Sequence, residues 1–328
     1  MNRILITLIA AGAVCQAQTP PAAAKPQPKR YSSKITVFDI RNKSSRTIYQ
    51  TDTVFEAPNW SLDGKYLIVN SGGRLYRLAV DGEGAKPEQI QIDPALRLNN
   101  DHAPSPDGKQ IAFSASSPTS RGSQVYVCNA DGSGMRLMVK EVPSYFHGWS
   151  PDGKYLAYVH QHPAANGGPA NYDIFRIPAT GGEPEQLNSN TGYDDGPDYS
   201  PDGKWIYYNT NRTGKWDIWR IPANGAGPGD EKAQRITNEE TEDWFPHPSP
   251  DGKHLLFLAF PKGTDNHGEK LPGTQLRMMA LPKEKLAKNP KIEVVTTFFG
   301  GQGTINVNSW APDSKRFAYV IYEPLPAR

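Results

Sequence analysis

Four histidines are the side chains of this sequence best suited to metal chemistry. His102 and His147 each stand three residues before the first position of a recurring Ser-Pro-Asp-Gly-Lys motif, and His160 and His162 are spaced to share one face of a strand. Imidazoles gathered at one point could bind a divalent transition metal and activate a proton or a water molecule. Solvated rim histidines that hydrogen-bond to neighbouring loops are the alternative, and we favour it. We therefore predict no cofactor and keep a metal at these four histidines as an open hypothesis.

Two acidic pairs are the second candidate for chemistry. Asp194 with Asp195, and Glu242 with Asp243, could act as acid and base on a glycoside. Adjacent residues on a strand point to opposite faces, so at most one member of each pair can reach a shared site. Carboxylates that cap loops or lie in solvent are the favoured interpretation.

The elements that position these side chains follow from an internal repeat. Six copies of the motif occur, SLDGK at Ser61, SPDGK at Ser105, Ser150, Ser200 and Ser249, and APDSK at Ala311. Their aspartates are separated by 44, 45, 50, 49 and 62 residues, and each unit holds four strand-like segments. This period is typical of propeller blades. Proline, aspartate and glycine in this order suit a hairpin turn, so we interpret the motif as structural.

The two ends of the chain predict how the ring closes. KITVFDI and RTIYQ near the N-terminus resemble third and fourth strands without a preceding turn, whereas only RFAYVIYE follows the last turn. Pairing the N-terminal strands with C-terminal first and second strands completes a sixth blade and removes an open sheet edge. We therefore predict that residues 31–328 form one all-β domain, a six-bladed β-propeller of four-stranded antiparallel blades.

This architecture assigns the candidate residues to one face. If the motif joins first and second strands, the starts of first strands and the ends of second strands meet at the opposite face. We predict no catalytic residue there. The candidate binding face comprises Asp101, His102, Tyr145, His147, His160, His162, Asp194, Asp195, Asn211, Arg212, Glu242, Asp243, His267, Gln302 and Asn306.

Two segments depart from the repeat and are expected at the same face. Residues 260–275 are an insertion between the second and third strands of the fifth blade, and the glycine-rich segment 298–310 precedes the last turn. Long loops on a rigid scaffold often carry binding. No Lys-Ser/Thr follows Gly300, Gly301 and Gly303, so we interpret these glycines as positions of unusual φ and not as a phosphate loop.

The repeated motif, the aromatic residue or proline before it, and the stretch NRTGKWDIWRIP at residues 211–222 resemble the propeller of the TolB family of bacterial envelopes. The likeness covers residues 31–328. It implies a non-catalytic protein-interaction module of the Tol-Pal or biopolymer-transport type, because the TolB propeller binds a peptidoglycan-associated lipoprotein. TolB also carries an α/β domain before its propeller, and we expect this chain to lack it.

The same repeat occurs in two classes of enzyme. Oligogalacturonate lyase has a related propeller and a metal that helps acidify a sugar proton, so a carbohydrate-active enzyme with a His-lined metal site is the alternative function. Prolyl-oligopeptidase-type peptidases also contain such propellers, but they need a G-x-S-x-G nucleophile elbow. This sequence contains no such pentapeptide.

The N-terminus predicts export. Residues 1–17 have one early positive charge, an apolar run and small residues near their end, which is typical of a signal peptide. Residues 18–30 form a Pro/Ala-rich spacer. Lipid attachment at Cys15 is disfavoured because Val14 precedes it. We expect a periplasmic or secreted protein without a transmembrane anchor after cleavage.

Composition limits the classes of binding partner. Lys plus Arg total 36 against 34 Asp plus Glu, and a net charge of +2 provides no field that favours nucleic acid. We expect a monomer whose partner is an envelope protein or lipoprotein, with a cell-wall glycan also open. After signal cleavage only Cys128 remains, and its alternating strand pattern predicts a packed thiol.

Overall fold

The computed structural model describes residues 29–81, 84–163, 170–264, 266–287 and 290–326. The predicted signal peptide and most of the predicted spacer lie outside the described residues. The first strand begins at Arg30, one residue before the predicted start of the propeller. Among the described residues, no helix has the length and apolar character needed to cross a membrane.

The described residues form 23 strands in six antiparallel sheets, which are the blades of a propeller. Strands β1 (Arg30–Asp39) and β2 (Ser44–Thr51) belong to the closing blade. Blade 1 comprises β3 (Glu56–Trp60), β4 (Tyr66–Ser71), β5 (Arg74–Ala79) and β6 (Glu88–Gln89). Blade 2 comprises β7 (Arg97–Pro104), β8 (Gln110–Ser116), β9 (Gln124–Asn129) and β10 (Arg136–Val139).

The remaining blades repeat this order. Blade 3 comprises β11 (Ser144–Trp149), β12 (Tyr155–His162), β13 (Asn171–Pro178) and β14 (Glu185–Gln186). Blade 4 comprises β15 (Asp194–Tyr199), β16 (Trp205–Thr210), β17 (Asp217–Pro222) and β18 (Gln234–Arg235). Blade 5 comprises β19 (Glu242–Pro248), β20 (His254–Phe260), β21 (Leu271–Ala280) and β22 (Ile292–Gly300), and β23 (Arg316–Leu325) completes the closing blade. Two short 3-10 helices span Pro228–Asp230 and Gln302–Thr304.

The recurring motif is the turn between the first and second strands of a blade, as predicted. In blade 3, Ser150 Oγ donates to Asp152 Oδ1 over 2.7 Å and accepts from the backbone N–H of Tyr155 over 2.9 Å. Asp152 Oδ1 also accepts from the backbone N–H of Lys154. Gly153 has a φ of 71°, the left-handed region that glycine enters without strain. The serine and aspartate side chains therefore fix the hairpin by local hydrogen bonds.

The ring is closed by the two ends of the propeller. β1 pairs with β23 over ten consecutive residues, from Arg30 opposite Leu325 to Asp39 opposite Arg316, and pairs with β2 along its other edge. This confirms the predicted closing blade of N-terminal and C-terminal strands. The first strand of this blade is reduced to a single bridge between Trp310 and Phe317.

Apolar side chains pack between neighbouring blades. The cluster between the closing blade and blade 1 includes the buried residues Ile35, Leu67, Val69 and Val320. Cys128 in β9 is fully buried, and burial raises the pKa of its thiol to about 12, so the prediction of a packed thiol is confirmed.

Candidate functional site

A cavity of about 340 Å³ lies on the face opposite the motif turns, and we name it the mouth cavity. Six of its lining residues belong to the predicted binding face, namely Asp101, Tyr145, His147, Asp195, His267 and Gln302. Four further lining residues were not predicted, namely Asn99, Asn100, Tyr172 and Tyr193. The inner strands β7, β11 and β15 position most of these side chains.

A histidine and a carboxylate make the closest charged contact in the mouth cavity. His147 Nε2 lies 2.9 Å from Asp195 Oδ1, and both side chains are almost completely buried. The approach is ionic and lacks the alignment of a hydrogen bond, and His147 Nδ1 has no partner among the described residues. Gly196 donates its backbone N–H to Asp195 Oδ1. These contacts hold the Asp195 carboxylate in place beneath the cavity.

Burial and mutual attraction shift the pKa values of this pair in opposite directions. For Asp195, burial raises the pKa, but the contact with His147 outweighs burial and lowers it. For His147, burial opposes protonation, but Asp195 and then Asp101 and Asp198 outweigh it and raise the pKa. The geometry therefore favours an imidazolium beside a carboxylate.

Asp101 is the second carboxylate of the mouth cavity. Asn306 Nδ2 donates to its Oδ1, and Asn99 Nδ2 donates to its Oδ2, each over 2.6 Å. Burial raises the pKa of Asp101 to about 6, although His147 and Asn306 oppose this shift. Asn306, a predicted residue of the binding face, thus acts by orienting Asp101.

Aromatic rings form a continuous arc beside these carboxylates. The ring centroids of Tyr145 and Tyr172 are 6.1 Å apart, and those of Tyr172 and Tyr193 are 4.6 Å apart. The arc continues from Tyr193 through Trp216 to Trp244. His267 stacks on Trp244 at 4.2 Å, and its Nε2 lies 3.9 Å from Asp195 Oδ2. Burial lowers the pKa of His267 despite Asp195.

The two segments that break the repeat meet at the mouth cavity. The backbone N–H of Gln302 donates to the carbonyl of His267 over 3.3 Å, so the insertion between β20 and β21 contacts the glycine-rich segment. Both segments contribute a side chain to the lining. Their predicted position on the face opposite the motif turns is therefore confirmed.

The interpretation of the three glycines as positions of unusual φ was wrong. Gly300, Gly301 and Gly303 do not belong to the positive-φ glycines, and Gly301 has an extended φ of −166°. Space is the constraint instead. A Cβ on Gly303 would lie 2.6 Å from Tyr322 Oη and 2.7 Å from Glu56 Cβ.

The four histidines of the metal hypothesis have separate surroundings. His102 is fully buried, both of its ring nitrogens lack partners among the described residues, and burial lowers its pKa to about 3. Its burial and that of His147 contradict the expectation of solvated rim histidines. They lie deep because they occupy the position, three residues before the motif, at which other blades carry the buried Pro58, Pro197 and Pro246 of an inner strand.

The other two histidines lie at the end of β12. His160 Nδ1 contacts the Pro143 carbonyl and Ser144 Oγ, each over 3.1 Å, which fits the predicted loop contacts. His162 Nε2 lies 2.8 Å from Asp173 Oδ2. Neither lines the mouth cavity. Within the described ranges, no group of three or more His, Cys, Asp or Glu side chains is arranged to hold a metal ion.

Asp194 faces away from Asp195, as strand alternation predicted. Asn188 and Asn190 both donate to Asp194 Oδ2 over 2.6 Å, and Arg212 lies 3.7 Å from its Oδ1. Burial raises the pKa of Asp194 to about 8 although Arg212 opposes this. Arg212 also pairs with Asp230 at 3.2 Å. This cluster is a buried structural network next to the mouth cavity.

Asn211 and Glu242 hold backbone in place, whereas Asp243 binds a neighbouring side chain. Asn211 Oδ1 accepts from the backbone N–H of Tyr193, and the two oxygens of Glu242 accept from the backbone N–H groups of Trp216 and Gly263. The favoured interpretation of loop-capping carboxylates therefore describes Glu242. Asp243 accepts from Thr241 Oγ1, and burial raises its pKa to about 7.

The face of the motif turns carries a second cavity, of about 430 Å³, which we name the turn-side cavity. Prolines of the turns and three tryptophans line it, and His147 lines both cavities. In its lining, Asp198 Oδ2 contacts His247 Nδ1 at 3.0 Å and accepts from Asn308 Nδ2 at 2.9 Å. The sequence did not reveal this pair because Asp198 and His247 each stand two residues before a turn motif, on the side of the ring where no site was predicted.

Tyr172 was missed for a geometrical reason. It is the second residue of β13, the third strand of blade 3, which runs antiparallel to β12 and so starts on the face where β12 ends. The prediction considered only the starts of first strands and the ends of second strands. An aromatic residue at the start of a third strand was the signal that could have found it.

No family model matches the chain. An uncharacterized protein of Agrobacterium fabrum is 40% identical over 293 residues, which are 89% of this chain and 93% of the relative. A solved structure from Agrobacterium tumefaciens, provisionally identified as TolB, is 39% identical with a TM-score of 0.81 and covers 91% of this chain and 100% of that one.

More distant relatives share less of the chain. The Tol-Pal system protein TolB of Francisella tularensis is 25% identical over 236 residues. The matched region covers 70% of this chain and 51% of TolB, so the chain spans about half the length of this relative. An oligogalacturonate lyase from Vibrio parahaemolyticus has a TM-score of 0.50 at 14% identity and covers 81% of this chain and 73% of the lyase. At that identity the likeness shows the fold alone.

Proposed function

Because this chain belongs to the family of TolB-like β-propellers, we propose that it is an exported protein-interaction module of the cell envelope. Its partner is an envelope protein or lipoprotein, bound across the mouth cavity without catalysis. The Francisella relative is named as a component of the Tol-Pal system, and this supports a role of that type. Periplasmic or secreted localisation is part of the same proposal and agrees with the signal pattern of residues 1–17.

One observation carries the proposal. The two segments that depart from the repeat contact each other at the mouth cavity, where His267 and Gln302 complete its lining. The ten residues that connect β20 and β21 on this face are longer than the blade itself needs, so they add little to the stability of the ring. Loops of unequal length on a rigid scaffold are the usual means of shaping a binding surface.

The alternative of a carbohydrate-active enzyme has less support. The likeness to the lyase extends to the fold, and the described residues bring no three metal-ligating side chains together. The His147–Asp195 pair could move a proton, but its buried Nε2 contact leaves only Nδ1 for a substrate. We keep this function as the second candidate, with metal content of the purified protein as its first test.

Site-specific photocrosslinking in intact cells tests the proposal. A photoreactive amino acid at Lys262, which is exposed in the insertion, is expected to trap one discrete partner. The matched control is Lys154, which is exposed in a motif turn on the opposite face. Equal adduct patterns at both positions, or no protein adduct at Lys262, would contradict a partner at the mouth.

A further inference from the structure

We propose that the mouth cavity is a receptor for one organic cation, the ammonium or guanidinium end of a lysine or arginine side chain of the partner. The protein source of this cation rests on the proposed function, whereas the preference for a cation rests on the cavity alone.

The charges around the cavity are unbalanced. Its lining contains the carboxylates of Asp101 and Asp195, and no lysine or arginine occurs among the described residues that form it. Asp195 already contacts His147 at 2.9 Å. Asp101 is held only by the neutral amides of Asn99 and Asn306. The single imidazolium of His147 acts on both carboxylates, so one negative charge of the lining stays uncompensated. An uncompensated buried carboxylate is costly, and a ligand cation would supply the missing charge.

The aromatic wall selects the same sign of charge. Tyr145, Tyr172 and Tyr193 line the cavity side by side, with centroids 4.6 to 6.1 Å apart. The face of an aromatic ring attracts a cation within about 6 Å of its centroid. An anionic ligand would be repelled by the two carboxylates, and the three aromatic rings offer it no positive charge. Carboxylates together with a tyrosine wall thus favour an ammonium or guanidinium group.

A polar atom within the lining also lacks a partner. His147 is only 4% exposed, and its Nδ1 has no hydrogen-bond partner in the described part of the chain. Once a cation neutralises the carboxylates, the imidazole can be neutral and can accept a hydrogen bond from an ammonium at that atom. A volume of about 340 Å³ suits one long side chain and is close to the lower end of ligand cavities, about 300 Å³.

Calorimetry with small probes tests the cation preference without any partner protein. The probe is Nα-acetyl-lysine N-methylamide, and its matched control is the same molecule with a methyl group in place of the Nε ammonium, which has nearly the same shape without the charge. We expect the control to bind at least tenfold more weakly. Equal binding of the two probes, or no binding of the lysine probe at 10 mM, would overturn the inference.

Two variants locate the binding. Asp101→Asn removes one charge, and Tyr172→Leu removes one aromatic ring. Each substitution is expected to weaken binding of the lysine probe at least fivefold. Glu183→Gln, an exposed carboxyl outside the cavity, is the control and is expected to leave binding unchanged. Unchanged binding in Asp101→Asn and in Tyr172→Leu, both shown to be folded by circular dichroism, would place the cation elsewhere and overturn the site.

The source of the cation is tested separately. Cadaverine is the free diamine of the same chemistry, and tighter binding of cadaverine than of the lysine probe would overturn the protein source. Capture of a partner whose binding survives Asp101→Asn would contradict the inference that the mouth cavity receives a cation of the partner, and would leave the proposed function intact. Binding of the probes without a mouth-specific crosslink would overturn the proposed function and leave the pocket intact.

Discussion

Buried carboxyl groups dominate the electrostatics of this propeller at the level of single side chains. Burial raises the pKa of Asp101 to about 6, of Asp243 to about 7 and of Asp194 to about 8. Each of these carboxyls lies on the inner first strand of its blade or at its start. The folded protein therefore holds protons that the unfolded chain releases at lower pH.

Asp243 gives a measurable consequence. Its pKa in the folded protein, about 7, lies above the ordinary value of 3.8, so the stability it contributes is full below about pH 4 and is lost as the pH rises through 7. We expect Asp243→Asn to raise the free energy of unfolding at pH 8.5 relative to wild type by on the order of 2 kcal/mol. At pH 4.5 this gain should be much smaller.

Urea denaturation at the two pH values measures this difference. Glu183→Gln, an exposed carboxyl, is the control and should shift neither value by more than about 0.5 kcal/mol. A gain for Asp243→Asn that is the same at both pH values would mean that packing and not ionisation is responsible.

The sequence predicted which face carries the candidate residues that line the mouth cavity, but not the depth of those residues. The motif turns fix the direction of each strand, so Asp101, Tyr145, His147 and Asp195 could be assigned to the correct face. Whether a side chain at a strand start reaches solvent depends on neighbouring blades, which the repeat alone does not describe. The burial of His147 could not be predicted for that reason.

Turns and loops contain two kinds of required glycine, which the sequence does not distinguish. Gly153 in a motif turn has a φ of 71°, and the nearest atom to a Cβ there is Pro106 Cδ at 3.9 Å. Gly303 lies outside the positive-φ region, but a Cβ would overlap Tyr322 and Glu56. Conformation limits the first position and space limits the second.

Alanine and asparagine substitutions separate these two causes. At Gly153 we expect Asn to cost less stability than Ala, because Asn tolerates the left-handed region and Ala loses about 1–2 kcal/mol there. At Gly303 we expect the reverse, because Asn is larger and even Ala must displace its neighbours at a cost of about 1–3 kcal/mol.

Thermal and urea denaturation of the four variants measure the two orders. The comparison is internal, since each glycine serves as the control for the other. If the Ala variant is more stable than the Asn variant at Gly153, the assigned conformational cause is wrong there. If the Asn variant is more stable than the Ala variant at Gly303, the assigned steric cause is wrong there.

The ring as a whole was predictable because a closed architecture leaves few alternatives. Six copies of one turn count the blades, and the unmatched strands at the two ends can only pair with each other. The structure of the glycine-rich segment was harder to predict, because the repeat does not describe a segment that departs from it. The single bridge between Trp310 and Phe317 stands where the other blades have a first strand.

The closing blade makes a prediction about the stability of the entire ring. Ten residue pairs between β1 and β23 join the chain ends, so closure depends on a backbone ladder in addition to side-chain packing between blades. Arg30 lies opposite Leu325, so a short linker can join the two ends of the propeller. New ends can then be opened elsewhere by circular permutation.

Two permutants test what this ladder contributes. Opening between Pro118 and Thr119, in the exposed loop between β8 and β9, again divides a blade between the two chain ends, and we expect near-native stability. Opening between Lys140 and Glu141, between blades 2 and 3, leaves closure to side-chain packing alone. We expect this permutant to unfold at lower urea concentration and with a lower m-value, because blades at its ends can separate before the ring unfolds.

Tryptophan fluorescence and far-ultraviolet circular dichroism, followed in parallel during urea denaturation, measure both effects. Equal midpoints and equal slopes for the two permutants would show that the shared blade is not what holds the ring closed.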